Sequence, residues 1–135
     1  MKALDTNVLA RFFIDDPDDA QSAEQRPAAV ASLSERAFVS ATVLLEFEWV
    51  MRGFYALPRR SIAGVMRALA GIEHITIEDR DAMLAALDAF GAGLDFADAL
   101  HVTRSSRAAA FVTFDQRLAR RAKVLAMAPP VELLR

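Results

Sequence analysis

The sequence contains no cysteine, which excludes disulfide bonds, thiolate nucleophiles and cysteine-ligated zinc. It has no uncharged run near the ~18 residues that a membrane-spanning helix needs. Lysine is scarce, since only Lys2 and Lys123 occur, so most cationic side chains are arginines. Arginine suits phosphate well, because its planar guanidinium can donate two hydrogen bonds to one phosphate. A secretory signal is not expected, because Asp5 interrupts the N-terminal apolar run. The lack of cysteine fits a reducing cytoplasm, which is the expected location.

Excess positive charge is also absent, because the net charge is −2. Any bound polyanion must therefore be held by local arginines or by a metal ion. Apolar residues make up 54% of the chain and charged residues 25%, as in globular proteins. At 135 residues the chain is expected to form one domain over residues 1–135.

Strand-like and helix-like segments alternate along the chain. Helical spacing of apolar residues predicts helices over residues 7–14, 18–34, 41–56, 59–71, 79–90, 95–107 and 115–123. Strands are expected just before Asp5 and over residues 37–40, 74–77, 109–113 and 124–127, the fourth of them buried and the last stopped by Pro129 and Pro130. Pro27 predicts a kink or a second helix start. Alternation of this kind favours an α/β fold with a parallel sheet.

Five acidic residues stand where the pattern predicts strand ends or apolar helix faces. Asp5 and Asp115 each follow a strand, at the sheet edge where α/β proteins bind ligands. Glu46 and Asp98 lie in helical runs that are otherwise apolar, where an acid is rare unless paired or ligating a metal. Asp95 precedes Asp98 by three residues and shares its helix face.

Converging carboxylates need protons or a cation, because two unit charges 4 Å apart repel by about 4 kcal/mol at an effective dielectric constant of ~20. Oxygen ligands without cysteine or a histidine pair suit Mg²⁺ or Mn²⁺. Such ions promote hydrolysis of phosphodiesters.

Each acid also has a structural interpretation. Asp5 would cap the following helix, and Glu46 or Asp98 would form a salt bridge with an arginine. Trp49 and the phenylalanines are expected in the core, and His101 in the core or on the surface.

Four segments together resemble PIN-domain ribonucleases, specifically the VapC-like toxins of bacterial toxin–antitoxin pairs. They are Leu4-Asp5-Thr6-Asn7-Val8-Leu9, Leu45-Glu46, Asp95-Phe96-Ala97-Asp98-Ala99-Leu100 and Val112-Thr113-Phe114-Asp115. Their order and spacing fit over almost the whole chain.

The resemblance implies an acidic site formed by Asp5, Glu46, Asp98 and Asp115. Asp5 and Asp98 would be the main metal ligands, with Glu46 and Asp115 acting partly through water. The resemblance assigns supporting or accessory roles to Thr6, Asn7, Asp95 and Thr113.

The resemblance further implies an α/β/α sandwich around a parallel sheet of four or five strands. The implied activity is Mg²⁺- or Mn²⁺-dependent endoribonuclease cleavage, with a cognate antitoxin and a homodimer as the usual assembly. His101 and Leu118 depart from the family pattern. A small or aliphatic residue would be expected at position 101, and an aromatic residue at position 118.

Other interpretations remain open at this point. The arginines would either hold RNA phosphates or form a solvated helix face; they are Arg104, Arg107, Arg117, Arg120 and Arg121. A PIN fold that binds RNA or an antitoxin without turnover is the main alternative, and a DNA- or flap-directed nuclease is another. Two further alternatives are disfavoured. A receiver domain would need a lysine after a late strand, and neither lysine of this chain fits that place. A phosphomonoesterase would need an acid at the position of Asn7.

Overall fold

The computed structural model describes residues 1–135, which form two compact units, Met1–Arg80 and Asp81–Arg135. In chain order the first unit contains β1 (Lys2–Ala3), α1 (Thr6–Phe13), α2 (Ala20–Leu33), β2 (Ala37–Val39), α3 (Ala41–Gly53), α4 (Arg59–Ala70) and β3 (Ile75–Ile77). The second contains α5 (Arg80–Gly91, which starts at the boundary), α6 (Phe96–Thr103), β4 (Phe111–Thr113), α7 (Gln116–Val124) and β5 (Val131–Leu133).

The first unit is built on a parallel sheet in the order β1-β2-β3. Lys2 pairs with Ala37, and Phe38 pairs with Thr76. Helix α1 packs against α2 and α3, and α3 packs against α4. The largest fully buried side chains of this unit come from its helices and β2, including Leu9, Val39, Leu44, Phe47, Met51, Ile62 and Met66.

In the second unit β4 pairs with β5, again in parallel. The prediction of a last strand over residues 124–127 is wrong, because α7 continues to Val124 and the strand begins at Val131. The two prolines precede this strand instead of stopping it. Proline has no N–H but its carbonyl can accept, and the Pro130 carbonyl oxygen accepts a hydrogen bond from the Phe111 N–H at 2.9 Å.

The predicted α/β class with parallel strands is confirmed. The five strands divide into sheets of three and two, whereas four or five were expected in one sheet. Each strand is only two or three residues long, so each pairing has few ladder hydrogen bonds.

Helix α3 is buried along one stripe rather than all round. Leu44, Phe47, Glu48 and Met51 are buried, and their spacing of three, one and three residues lies on one helix face. The opposite face includes Glu46 and Trp49, which are exposed. A helix that is apolar nearly all round is expected to be buried, so the sequence predicted a buried Glu46, and this prediction is wrong.

Several other expectations are corrected. Helix α2 runs through Pro27 as a single helix, without a second start. Helix α6 ends at Thr103, four residues before the predicted end at residue 107. Strand β4 is half-buried with Val112 exposed, the alternation that a strand covered on one face shows.

The aromatic residues are not all in the core. Trp49, Phe54 and Phe114 have relative exposures of 62%, 76% and 77%. None of the helices is both long enough and apolar enough to cross a membrane.

Candidate active site

Asp5 follows β1 and begins α1. Its backbone is extended, and carboxylate oxygen Oδ1 accepts a hydrogen bond from the Thr6 N–H at 2.8 Å. The side chain is exposed, and its second oxygen accepts no hydrogen bond from the protein. Asp5 therefore caps α1 with one carboxylate oxygen, and the other oxygen is available to a ligand.

Glu46 is connected to the same turn through Thr6. The Thr6 hydroxyl is buried and donates a short hydrogen bond to Glu46 Oε1. This bond fixes the carboxylate of α3 beside the first residue of α1. Asn7 is exposed. The first unit thus presents two carboxylates, from Asp5 and Glu46, that are held by Thr6.

A second acidic group lies in the other unit, around the start of α6. Asp95 caps this helix, because its Oδ2 accepts from the Asp98 N–H at 3.1 Å. Asp115 caps α7 by accepting from the Leu118 N–H at 3.0 Å, and its own N–H donates to the Thr113 hydroxyl at 3.0 Å. These bonds fix the direction of two carboxylates that are both exposed.

Asp98 is the half-buried member of this second group. Burial raises the pKa of its carboxyl above the ordinary value, and the charges of Asp95 and Asp115 raise it further, while His101 lowers it. No hydrogen bond or ion pair to the Asp98 carboxylate offsets these effects. A bound cation would do so, since it favours the ionised form.

These residues fit a hard divalent ion in their chemistry. Every candidate ligand is a carboxylate, the ligand type that Mg²⁺ and Mn²⁺ prefer. Asp5, Asp95 and Asp115 each keep one oxygen outside the hydrogen bond that caps a helix. No group of three or more acidic or histidine side chains is already arranged closely enough to hold a metal ion.

The five predicted phosphate-binding arginines differ in their surroundings. Arg104, Arg107, Arg117 and Arg120 are exposed, and Arg104 takes part in a further interaction. Arg121 is half-buried, and its Nη2 donates to the Ala92 carbonyl oxygen at 3.3 Å. Arg121 therefore packs on the loop before α6 rather than extending into solvent.

Gly93 allows this packing of Arg121. Its φ is +109°, a conformation that side-chain-bearing residues rarely adopt, and a Cβ there would collide with the Arg121 guanidinium. The loop that leads to Asp95 thus depends on a glycine in contact with α7, which the sequence reasoning missed.

Sequence reasoning also missed Glu48, the acid of α3 that is buried. Its carboxylate accepts from Arg52 Nε at 2.8 Å, and its side chain is 2% exposed. The spacing of four residues between Glu48 and Arg52 is the available indication in the sequence. This pair has the structural role that the sequence had left open for Glu46.

Comparison with known proteins agrees with the resemblance at the family level. A family model described as "PIN domain" matches residues 2–124, a range that includes all the acidic residues described above. No curated protein and no solved structure matches the chain.

Proposed function

Because the chain belongs to the PIN-domain family, whose members are generally metal-dependent nucleases, we propose that it is an endoribonuclease and the toxin of a VapBC-type toxin–antitoxin pair. Residues 1–135 would act as one nuclease domain. The observation that carries the proposal is the Asp98 carboxyl, which is half-buried beside the charges of Asp95 and Asp115 and has no hydrogen bond or salt bridge to its carboxylate oxygens.

The proposed metal ligands are Asp5 and Asp98, with Glu46 and Asp115 contributing partly through water. A bound Mg²⁺ or Mn²⁺ would lower the pKa of a water molecule and stabilise charge on the leaving oxygen of a phosphodiester. Thr6 holds the Glu46 carboxylate by its hydroxyl. Fixed carboxylates reduce the reorganisation needed when the reaction begins.

The remaining residues would position these acids and the substrate. Thr113 orients the backbone at Asp115, and Asp95 adds negative charge next to Asp98. Asn7 would support the site from the first turn of α1. The exposed arginines of the second unit would hold RNA phosphates, and an RNA substrate would place the enzyme in the cytoplasm.

The proposed protein partners are a cognate antitoxin and a second copy of the chain. Trp49 on α3 and Phe54, the residue that follows this helix, support a protein interface, because both are large, apolar and mostly exposed. Aromatic residues are enriched in interfaces. The molecular mass of the purified chain in solution tests the homodimer. If the Trp49→Ala variant has the same molecular mass in solution as a native dimer, this result would argue against a dimer interface at Trp49.

The activity is tested by incubating the purified chain with a mixed pool of cellular RNA. Mn²⁺ should produce discrete fragments, and EDTA should abolish them. Asp98→Asn should reduce cleavage by more than about 100-fold, because even residues outside the inner ligand set of a metal site typically contribute 10–100-fold.

Asp18→Asn provides the matched control, since it removes the same charge from an exposed turn outside the candidate site. It should cleave like the native chain. Cleavage that persists in EDTA, or in Asp98→Asn, would contradict the proposal. A folded chain that binds RNA but never cleaves would favour the non-catalytic alternative.

A further inference from the structure

A groove of about 1150 Å³ lies in the second unit, along α7 and β5. Three cationic side chains line it, from Arg120, Lys123 and Arg135, and no aspartate or glutamate does. Of the five arginines considered above, only Arg120 belongs to this lining. The charge of the groove therefore suits an anionic ligand.

The groove also contains an aromatic ring that has no aromatic partner. Phe114 is 77% exposed and lines the groove. Phe54 is almost equally exposed, but its ring packs edge-on against Tyr55 with centroids 4.8 Å apart. Phe114 therefore offers a free ring face to a flat ligand.

The position of Phe114 connects the groove to the candidate site. It lies between Thr113 and Asp115, whose hydrogen bonds fix the start of α7. Proteins that bind single-stranded nucleic acids combine aromatic rings, on which bases stack, with a cationic groove that follows the backbone. This unit has both features directly beside a proposed catalytic acid.

We propose that the groove binds a nucleotide of single-stranded RNA that flanks the cleaved phosphodiester, with its base stacked on Phe114 and its phosphates held by Arg120 and Lys123. The inference rests on the proposed function, since that function makes RNA the ligand. It adds a recognition site to the reaction. An acidic protein segment would also satisfy the charge, but it has no flat bases to use the Phe114 ring.

Binding is measured by fluorescence anisotropy with labelled oligouridylate in EDTA, on an Asp98→Asn background so that the RNA stays intact. Phe114→Ala should weaken binding roughly 5- to 100-fold, the range for loss of one stacked base. Phe114→Leu should weaken binding as much, because leucine is apolar but has no ring. Phe114→Trp should retain the affinity. Val124→Ala should leave it unchanged, because Val124 is as exposed as Phe114 but does not line the groove.

The charges are tested through the dependence of affinity on salt concentration. Replacing both Arg120 and Lys123 by alanine should reduce the logarithmic salt slope by about 0.7 for each phosphate that is no longer neutralised. The control replaces Arg36 and Arg60, which are exposed in the first unit, and removes the same charge. Circular dichroism of every variant checks that the fold is kept.

An oligonucleotide with abasic sites separates stacking from general affinity. Phe114→Ala should not weaken its binding further, because the base is already missing. Equal reductions in affinity for normal and abasic RNA would overturn the proposal, as would native affinity in Phe114→Ala. Poly-glutamate binding that depends on Phe114, without such dependence for RNA, would assign the groove to a protein partner instead.

Cleavage by the native chain is measured in parallel, so that the two proposals can fail separately. Metal-dependent cleavage without any role for Phe114 in binding would overturn only the groove. Binding that depends on Phe114, without cleavage, would overturn the nuclease and keep the groove as an RNA site.

Discussion

Asp19 and Asp98 are both associated with helix starts, but their surroundings shift the carboxyl pKa in opposite directions. Asp19 caps α2 and accepts hydrogen bonds from the Ser22 N–H and hydroxyl, and these bonds lower its pKa. Asp98 has no such donors, and burial with two neighbouring acids raises its pKa. The ionised form is thus favoured at Asp19 and disfavoured at Asp98.

The comparison indicates what each residue contributes. A carboxylate that accepts hydrogen bonds at a helix start stabilises the fold. Burial and neighbouring negative charge disfavour the ionised form of a carboxyl and so favour a proton or a bound cation, and such perturbed groups cluster at functional sites. Asp98 therefore marks the candidate site more clearly than the exposed caps Asp5, Asp95 and Asp115 do.

The largest expected difference between the two residues is in the response to metal. Mg²⁺ binds the folded site and not the unfolded chain, so it should raise the free energy of unfolding by about 2.7 kcal/mol at 100 times its Kd. The melting temperature should rise by roughly 10 °C. Asp98→Asn should remove most of this gain, and Asp19→Asn should retain it.

Thermal melts with and without Mg²⁺ measure this response for all three chains. An Asp98→Asn variant that gains as much as the native chain would show that Asp98 is not a ligand. Loss of the gain in Asp19→Asn would show that the response to Mg²⁺ does not distinguish Asp98 from Asp19.

A smaller effect is expected from the loop that leads to Asp95 and Asp98. Gly93→Ala forces a side chain into a φ of +109° and against Arg121, which should destabilise the fold by about 2 kcal/mol. Gly64→Ala is the matched control. It lies in α4 with nothing within 4 Å of the added Cβ, so it should stabilise the helix by about 0.5–1 kcal/mol.

Urea denaturation of the two alanine variants measures this difference. Equal stabilities would mean that the loop relaxes around the added methyl group and does not fix Asp95. No comparable glycine is needed at Asp19, because its turn is held by hydrogen bonds to Ser22.

Much of this organisation could be predicted from the sequence because it is local. Helices were expected to begin close to residues 7, 41 and 115, and the structure has helices that begin at Thr6, Ala41 and Gln116. Parallel strands followed from the alternation of elements. The assignment of acids to the site came from a family resemblance, and the individual roles stay predictions.

What could not be predicted depends on packing between distant segments. Glu46 and Glu48 both lie in the same apolar run. Glu48 is buried only because the face of α3 that packs against the rest of the unit includes Glu48 and not Glu46. The strand at Val131 depends on its pairing with Phe111. The apolar run before the prolines has the composition of a strand, but its first residue ends α7 and is 77% exposed.

The smallest expected effect, and the most direct test of the comparison, is the pH dependence of stability without metal. Between the unfolded pKa of about 3.9 and the raised pKa of Asp98, the folded state binds more protons than the unfolded state, so stability should fall as pH rises through this window. The sign is opposite for Asp19. Its contribution is present above the unfolded pKa and is lost as pH falls through the lowered pKa.

Urea denaturation in EDTA from pH 2 to 7, about the range of these carboxyls, measures both effects. Relative to the native chain, Asp98→Asn should gain stability as the pH rises towards neutral. Asp19→Asn should lose the most stability at neutral pH, where the native carboxylate is ionised and contributes. Parallel profiles for the two variants would contradict the difference between the two carboxyls.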